Sequence, residues 1–308
     1  MNDYILLVVG VVCAGIGGEL FVRGAVGIAH SARISPGIIG ATVAAFATSS
    51  PELSVSINAS MAGEPQIALG DALGANVVNI ALILAIALTI SGIRSPRDTI
   101  RRDFPVALLV PIITGILVLD GVLSRVDGVL MLGIFFVWLV AAVIEARKQR
   151  GAADKFLVKY HGWYSGLLSG VGLTFLVAAG FLVVAGAKGI AISFGIDEFV
   201  IGATIVALGT TIPELATTVI AKLRGHDEVG LGIILGSNIF NGLLVVGAAA
   251  IISPIHISWR EVLVALTCGL LAVLLTFPTR QGFIERRRGV LLLVLYVVYL
   301  AAVLQNMV

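Results

Sequence analysis

Two glutamates stand at equivalent positions of an apolar stretch that the chain contains twice. The copies read GATVAAFATSSPEL at 40–53 and GATIVALGTTIPEL at 202–215. A carboxylate in hydrocarbon is unfavourable by about 2.5–3.5 kcal/mol, and a proline inside a helix by about 3 kcal/mol. Because both penalties recur at matching positions, chance is a poor explanation for them. The pattern predicts that Glu52 and Glu214 form the centre of a cation site.

Hydroxyl and carbonyl oxygens accompany each glutamate. Thr48 and Thr210 precede the glutamates by four residues. Ala45 and Ala207 precede the threonines by three, and both spacings keep the groups on one helical face. Hydroxyls, backbone carbonyls and a carboxylate together make a ligand set of oxygen alone. Such a set suits hard cations such as Na⁺ and Ca²⁺, and it argues against zinc or copper.

The prolines predict an interruption of the two helices. Pro51 and Pro213 carry no backbone N–H, so carbonyls one turn earlier, near Ala47 and Gly209, lose their helical partner. Each helix is therefore expected to kink or unwind at this point. Unpaired backbone at membrane depth is tolerated only when it is buried in protein or lines a cavity.

Side-chain amides form a second repeated motif. It reads GDALGANVVN at 70–79 and GIILGSNIFN at 232–241. Asn79 and Asn241 can offer carbonyl oxygens to an ion, and Ser237 a hydroxyl. The alternative is that the asparagines only hydrogen-bond between helices. Beside two paired glutamates, ligation by Asn79 and Asn241 is favoured, whereas Asn76 and Asn238 are expected to have a structural role or to support the ion ligands from behind.

Two other charged groups lie near these motifs. Asp71 either extends a negative path toward the outer mouth or stabilises the N-terminal end of its helix through the helix dipole, and the dipole role is preferred. Glu19 and Arg23, four residues apart, are expected to form an ion pair at the membrane interface.

The composition predicts an all-α integral membrane protein. Hydrophobic residues make up 58% of the 308 residues and charged residues 12%, with a mean hydropathy of +1.08, which excludes a soluble domain. Each apolar segment is long enough to span about 30 Å of hydrocarbon. The ten predicted transmembrane helices are 4–22, 36–62, 66–91, 104–122, 127–146, 163–187, 197–222, 227–252, 259–277 and 289–306.

The basic residues predict the orientation. All but three of the 20 lysines and arginines fall in alternate connections or at the helix ends beside them, the exceptions being Arg125, Lys188 and Arg260. The positive-inside rule then places both termini outside the cell and the central connection in the cytoplasm. The first apolar run has no basic residues before it, so we expect it to be a retained helix rather than a cleaved signal peptide. The predicted location is the plasma membrane.

The two halves of the chain are copies of one unit. A constant shift of 162 residues relates Glu52 to Glu214, and the same shift relates both amide motifs without a gap. Because five helices is an odd number, the second copy enters the membrane from the opposite side, as in many secondary transporters. The prediction is two inverted-topology five-helix repeats, at 1–146 and 163–308, joined by a solvated cytoplasmic linker at 147–162.

The paired motifs G-[TS]-[ST]-x-P-E and G-S-N-x-x-N resemble the α-repeats of the sodium/calcium exchangers, within the cation/Ca²⁺ exchanger superfamily. The resemblance covers nearly the whole chain. It implies alternating access, with entry of Na⁺ driving Ca²⁺ out of the cell. It also implies that Glu52 and Glu214 coordinate Ca²⁺ with help from Thr48 and Thr210. The implied Na⁺ ligands are the same glutamates with the carbonyls of Ala45 and Ala207, the Ser237 hydroxyl, Asn79 and Asn241.

Three positions depart from that family's pattern. Ala47 replaces a glycine that Gly209 keeps in the second repeat, and Ala75 stands where a serine is common, opposite Ser237. Asn241 stands where some relatives have aspartate. The site therefore carries two formal negative charges, which one Ca²⁺ or two Na⁺ neutralise. A common ligand set that either ion occupies in turn is the physical basis of exchange.

Three other functions compete with sodium/calcium antiport. A Ca²⁺/H⁺ exchanger would protonate the two glutamates instead of binding Na⁺ there. An intramembrane hydrolase would use them as acid and base, although the sequence shows no nucleophile–base pair. A passive channel would need a pore filter that the sequence does not show. The sequence predicts no cofactor besides the transported ions, the lipid bilayer as surroundings, no nucleic-acid partner, and function as a monomer.

Overall fold

The structure is a computed structural model that describes residues 3–61, 63, 65–152, 162–193, 207–257 and 259–305, which are mostly helical. The helices of the first half are α1 (Asp3–Ala32), α2 (Pro36–Ile39), α3 (Ala45–Thr48), α4 (Ser50–Met61), α5 (Pro65–Val77), α6 (Ala85–Ile90), α7 (Arg97–Leu117) and α8 (Arg125–Ala152). Its two short strands are β1 (Ile93–Arg94) and β2 (Val122–Leu123).

The second half repeats this order over its described residues. Its helices are α9 (Gly162–Ser193), α10 (Ala207–Thr210), α11 (Ile212–Leu223), α12 (Asp227–Ile239), α13 (Val246–Ile252), α14 (Trp259–Thr276) and α15 (Arg286–Gln305). The strands are β3 (Ile255–His256) and β4 (Phe283–Ile284). Widened π-helical turns connect several helices without a break, and such turns are frequent at functional sites. They are Gly40–Ala44 between α2 and α3, Val78–Leu84 between α5 and α6, and Phe240–Val245 between α12 and α13.

The two helices that carry the repeated glutamate motif are each broken two residues before the proline of the motif. Ser49 (φ −86°, ψ 9°) separates α3 from α4, and Thr211 (φ −86°, ψ 4°) separates α10 from α11. The axis bends by 44° between Pro36–Thr48 and α4. The predicted interruption is confirmed, but its form differs from a kink within one helix. Pro51 and Pro213 lie in the first turn of a new helix, where a missing N–H costs no hydrogen bond.

Contacts between the halves follow a two-fold pattern. Helix α5 packs on α14 as its counterpart α12 packs on α7, and α6 packs on α15 as α13 packs on α8. Strand β1 pairs antiparallel with β4, with Ile93 opposite Ile284, and β2 pairs with β3, with Leu123 opposite Ile255. Each two-stranded ribbon therefore joins one half to the other. The shift of 162 residues carries one ribbon onto the other to within one residue, as expected for inverted repeats.

Backbone contact without intervening side chains holds α12 against the segment that leads to the first break. A Cβ atom added to Gly236 would lie 2.3 Å from the carbonyl oxygen of Ala41, and one added to Gly232 would lie 2.5 Å from that of Gly37. A Cβ atom on Gly40 would lie 2.6 Å from the carbonyl oxygen of Val229. Small residues at such crossings allow helices to approach closely within a membrane. This packing places α12 and its Ser237 beside the break at Ser49.

Several helices are long and apolar enough to cross a bilayer. In the described ranges five pass by length and composition, and the bent pair Pro36–Thr48 with Ser50–Met61 makes a sixth. The other predicted spans correspond to α7, α14 and α15, which have 21, 18 and 20 residues, and to 197–222, of which residues 197–206 lie outside the described part. The fold is an all-α integral membrane protein, and the count of ten remains a prediction.

The longest helices pack against each other. α1 runs beside α9, where Gly17 and Gly172 allow backbone approach. The expected pairing of Glu19 with Arg23 is confirmed, and Glu19 also accepts a hydrogen bond from Arg224, just after the end of α11, with Nε to Oε2 at 2.9 Å.

Residues 147–152 of the predicted linker continue α8, and 153–161 lie outside the described residues. The predicted boundaries between the halves remain a prediction.

Candidate cation-binding site

Both glutamates are completely buried at the beginning of a helix. Glu52 lies in the first turn of α4 and Glu214 in the first turn of α11, and each has 0% exposure. The positive end of a helix dipole therefore acts on each carboxylate. Glu214 is also close enough for its charge to act on Glu52. The structure thus brings together the two residues that the repeat predicted as the centre of the site.

The first repeat supplies one of the hydrogen-bond donors to Glu214. Its Oε1 accepts from Ser49 Oγ at 3.0 Å and from Ser237 Oγ at 3.1 Å. Thr48 lies nearby, although its hydroxyl is directed to the carbonyls of Ala44 and Ala45. The second oxygen, Oε2, is buried and has no hydrogen-bond partner in the described part of the chain. One half of this carboxylate is therefore available to an ion.

Glu52 has neither oxygen satisfied. Both are buried, and no described residue is placed to hydrogen-bond them. Thr210 lies close to this carboxylate without reaching hydrogen-bond geometry. A buried carboxylate without partners is costly in protein, and a bound cation is one of the few groups that offsets that cost. Glu52 is the clearest indication in the structure that an ion binds here.

The amides divide into a structural pair and an available pair. Asn76 Nδ2 donates to the Asn238 carbonyl at 3.2 Å, and Asn238 Nδ2 donates to the Asn76 carbonyl at 3.0 Å, so both link the two helices, although Asn76 Oδ1 has no partner among the described residues. Asn79 Nδ2 donates to Asn238 Oδ1 at 3.1 Å, while Asn79 Oδ1 has no partner among the described residues. Within the same ranges, neither amide atom of the buried Asn241 has a partner. The two predicted amide oxygens are thus available.

The predicted backbone ligands are less available. The Ala45 carbonyl accepts from the Ser49 N–H at 2.9 Å and from the Thr48 hydroxyl at 3.2 Å, so an ion there would require Thr48 to turn away. The Ala47 carbonyl, predicted to be free, accepts from Ser50 Oγ at 2.8 Å. Ala207 begins α10, and its part in the site remains a prediction. Side-chain hydroxyls thus replace some of the N–H groups lost at the break.

Two features of the site were not predicted. Ser49 is not among the predicted ligands, yet its hydroxyl donates to the glutamate of the other repeat. The dipole role preferred for Asp71 is wrong, because Asp71 is the seventh residue of α5 and the dipole acts mainly within the first turn. The described residues contain no group of three or more His, Cys, Asp or Glu side chains placed to hold one metal ion. The centre has two carboxylates, completed by hydroxyl and amide oxygens.

A two-fold membrane fold with two buried carboxylates and neutral oxygens between its halves defines an ion-coupled transporter. The chain matches the sodium/calcium exchanger protein family over residues 3–144 and 164–305, and it belongs to that family. It is 39% identical over 258 residues to the putative antiporter CaxA of Alkalimonas amylolytica, covering 81% of each chain. It is 26% identical over 344 residues to the sodium/calcium exchanger MaX1 of Methanosarcina acetivorans, covering 97% of each.

A solved structure shows the same fold. The sodium-calcium exchanger NCX_Mj, soaked with 100 mM Na⁺ and 10 mM Sr²⁺, superposes with a TM-score of 0.85 at 30% identity, covering 97% of each chain. This likeness supports the inverted-repeat architecture and the assignment as an ion exchanger of the membrane. The hydrolase alternative is therefore excluded, since the family and its structural neighbours are transporters.

Proposed function

We propose that this protein exchanges Na⁺ for Ca²⁺ by alternating access, with the two ions competing for one set of oxygen ligands around Glu52 and Glu214. The main support for this proposal is that both oxygens of the buried Glu52 carboxylate and one oxygen of Glu214 have no hydrogen-bond partner among the described residues. Removal of two carboxylates from water without compensation is prohibitive, so metal ions or protons must neutralise the carboxylates during most of the cycle.

The charges of the ligands support competition between the two ions. Two carboxylates balance one Ca²⁺ or two Na⁺, and the other proposed ligands are neutral: Thr48, Thr210, Ser237, Asn79, Asn241 and the carbonyls of Ala45 and Ala207. Ca²⁺ takes six to eight oxygens at about 2.3–2.6 Å, which a mixed set of this kind can provide. Because occupancy by one ion excludes the other, the gradient of one drives the transport of the other.

Proton coupling is the alternative within the same family, because two buried glutamates could carry protons instead of Na⁺. The neutral amides of Asn79 and Asn241 favour Na⁺, since they offer oxygen ligands to a metal ion and do not ionise. The proposed setting is the plasma membrane, with both termini outside, as the distribution of basic residues predicts. A single chain contains both glutamates, so we propose a functional monomer.

The test is radiolabelled Ca²⁺ uptake into Na⁺-loaded proteoliposomes that contain the full chain. We expect uptake to follow an outward Na⁺ gradient and to be absent under a pH gradient alone. Glu52→Gln and Glu214→Gln should each lower the rate about 100-fold or more, because breaking a buried charge contact costs about 3–5 kcal/mol.

Glu285→Gln is the matched control for this test. Glu285 lies beside α15 and pairs with Arg287, whose side chain is 80% exposed, so its loss should leave transport unchanged. Uptake driven by protons and indifferent to Na⁺ would replace the proposal with Ca²⁺/H⁺ exchange. Undiminished Na⁺-driven uptake in both glutamate variants would refute the site.

A further inference from the structure

A line of buried hydroxyls runs along α4 away from the central site. Ser56 and Ser60 follow Glu52 at intervals of four residues and so share its face of the helix. Their side chains are 0% and 2% exposed, and the described residues offer neither hydroxyl a hydrogen-bond partner. A buried polar group left unpaired costs about 1–3 kcal/mol. This face of α4 is therefore built for a polar occupant.

A third carboxylate reaches the same level from the neighbouring helix. α4 packs against α5, which begins four residues after α4 ends. Ser56 lies five residues before the end of α4 at Met61, and Asp71 lies six residues after the start of α5 at Pro65. In a helical hairpin these positions have the same depth. Asp71 Oδ2 is buried without a partner in the described ranges, and its charge acts on Glu52.

We propose that Asp71, Ser56 and Glu52 form a second position for a hard cation, Ca²⁺ or Na⁺, between the central site and the membrane face on which α4 ends. This inference rests on the proposed function and adds a step to it. Asp71 does not combine with both glutamates into one three-carboxylate centre, so the position is distinct and shares Glu52 with the centre. A cation entering from that face meets Asp71 before it reaches Glu214.

The second repeat keeps the glutamate of this position and, at Thr218, a buried hydroxyl without a described partner, but it lacks the third carboxylate. Ile233 stands where the first repeat has Asp71, and Lys222 stands where it has Ser60. The Lys222 ammonium is bound to the Gly92 carbonyl at 2.8 Å and to Asp227 Oδ1 at 3.0 Å. The lysine is thus neutralised by Asp227, and the second repeat lacks a carboxylate at the level of Asp71. The two faces should differ in their apparent affinity for Ca²⁺.

Transport measured separately from each face tests the proposal. Asp71→Asn should raise the KM for Ca²⁺ presented on the face where α4 ends by about tenfold, because ligand charge sets Ca²⁺ affinity. The KM on the opposite face and the maximal rate should stay within about twofold, and Asp71→Glu should restore the wild-type value. The membrane face on which α4 ends can be identified by labelling a cysteine at position 61, because Met61 is 73% exposed. The variant Met61→Cys is made in a chain without Cys13 and Cys268 and is treated with a membrane-impermeant thiol reagent.

The control variant Asp120→Asn distinguishes ligation by Asp71 from a general effect of surface charge. Asp120 is exposed, and its connection forms the ribbon to β3. It lies on the face that the predicted topology shares with the end of α4, and its loss should leave both KM values unchanged. Equal changes on both faces in Asp71→Asn, or none on either, would overturn the proposal.

Direct binding gives a readout that does not depend on transport. With purified full-length protein and Ca²⁺ alone as the probe, Glu214→Gln should keep a weaker site, because Asp71 and Glu52 remain. The double variant Asp71→Asn/Glu214→Gln should lose it. Equal residual binding in the two proteins would contradict the second position, even if coupling to Na⁺ proved wrong.

Discussion

Glu52 and Glu214 have matching sequence contexts but unequal surroundings. Glu214 accepts from Ser49 and Ser237, whereas Glu52 has no such donor in the part of the chain that the structure describes. The counterpart of Ser237 is Ala75, which has no hydroxyl. The counterpart of Ser49 is Thr211, whose hydroxyl donates to the Leu208 carbonyl at 3.0 Å instead. One substitution and one side-chain orientation thus remove the symmetry of the centre.

Removing the hydroxyl from one repeat and adding it to the other should change the affinity for Na⁺ in opposite directions. We expect Ser237→Ala to raise the Na⁺ concentration for half-maximal Ca²⁺ release about tenfold, since a contact of about 1.4 kcal/mol is lost. Ala75→Ser should lower it, because Glu52 gains a donor and the ion a ligand. Na⁺ titration of Ca²⁺ efflux measures both. A shift in the same direction in both variants would contradict this account.

At the scale of helices, the position of the centre depends on glycine contacts. α12 carries Ser237, and the π-helical turn that follows α12 carries Asn241. Through Gly232 and Gly236, α12 touches the backbone of α2 and of the π-helical turn that follows α2. A side chain at either position would push α12 away from the break at Ser49. The separation between Ser237 and the break at Ser49 is therefore set by residues that take no part in ion binding.

Gly236→Ala should destabilise the protein by about 1–3 kcal/mol, the usual cost of overpacking, and should weaken Ca²⁺ binding as well. Thermal unfolding in detergent with and without Ca²⁺ measures the two effects. Gly133→Ala is the matched control, because Gly133 lies within α8 and an added Cβ atom meets no described atom within 4 Å. Comparable unfolding of both variants would remove the special role assigned to the α12 contact.

Part of this arrangement was predictable because it is periodic and duplicated. The repeat, the paired glutamates and an interruption beside the prolines all follow from positions along the chain. The contact of Ser49 with Glu214 and the proposed second position at Asp71 depend on which helices meet, which spacing alone does not determine. Strands β1 to β4 have two residues each and are too short to show an alternating pattern. The prolines were placed correctly, but spacing could not show that they begin helices.

At the scale of the whole molecule, ligand binding between the halves should hold them together. Ca²⁺ at about 100 times its dissociation constant should stabilise the folded protein by about 2.7 kcal/mol. Excess Na⁺ should displace Ca²⁺, so that stabilisation by Na⁺ replaces stabilisation by Ca²⁺. The Glu52→Gln variant should no longer be stabilised by Ca²⁺. Thermal unfolding over a matrix of both ions measures the competition. Additive stabilisation by the two ions would show that they bind separate sites.

The ribbons β1–β4 and β2–β3 bear on the origin of the chain. In each ribbon the partner strand comes from the other half, so a protein ending after the first half would leave Ile93 and Leu123 with unpaired backbone. A second molecule inserted upside down would supply both missing edges. The ancestral gene product is then best pictured as an antiparallel pair of identical subunits, which fusion later allowed to diverge, as Asp71 and Lys222 show.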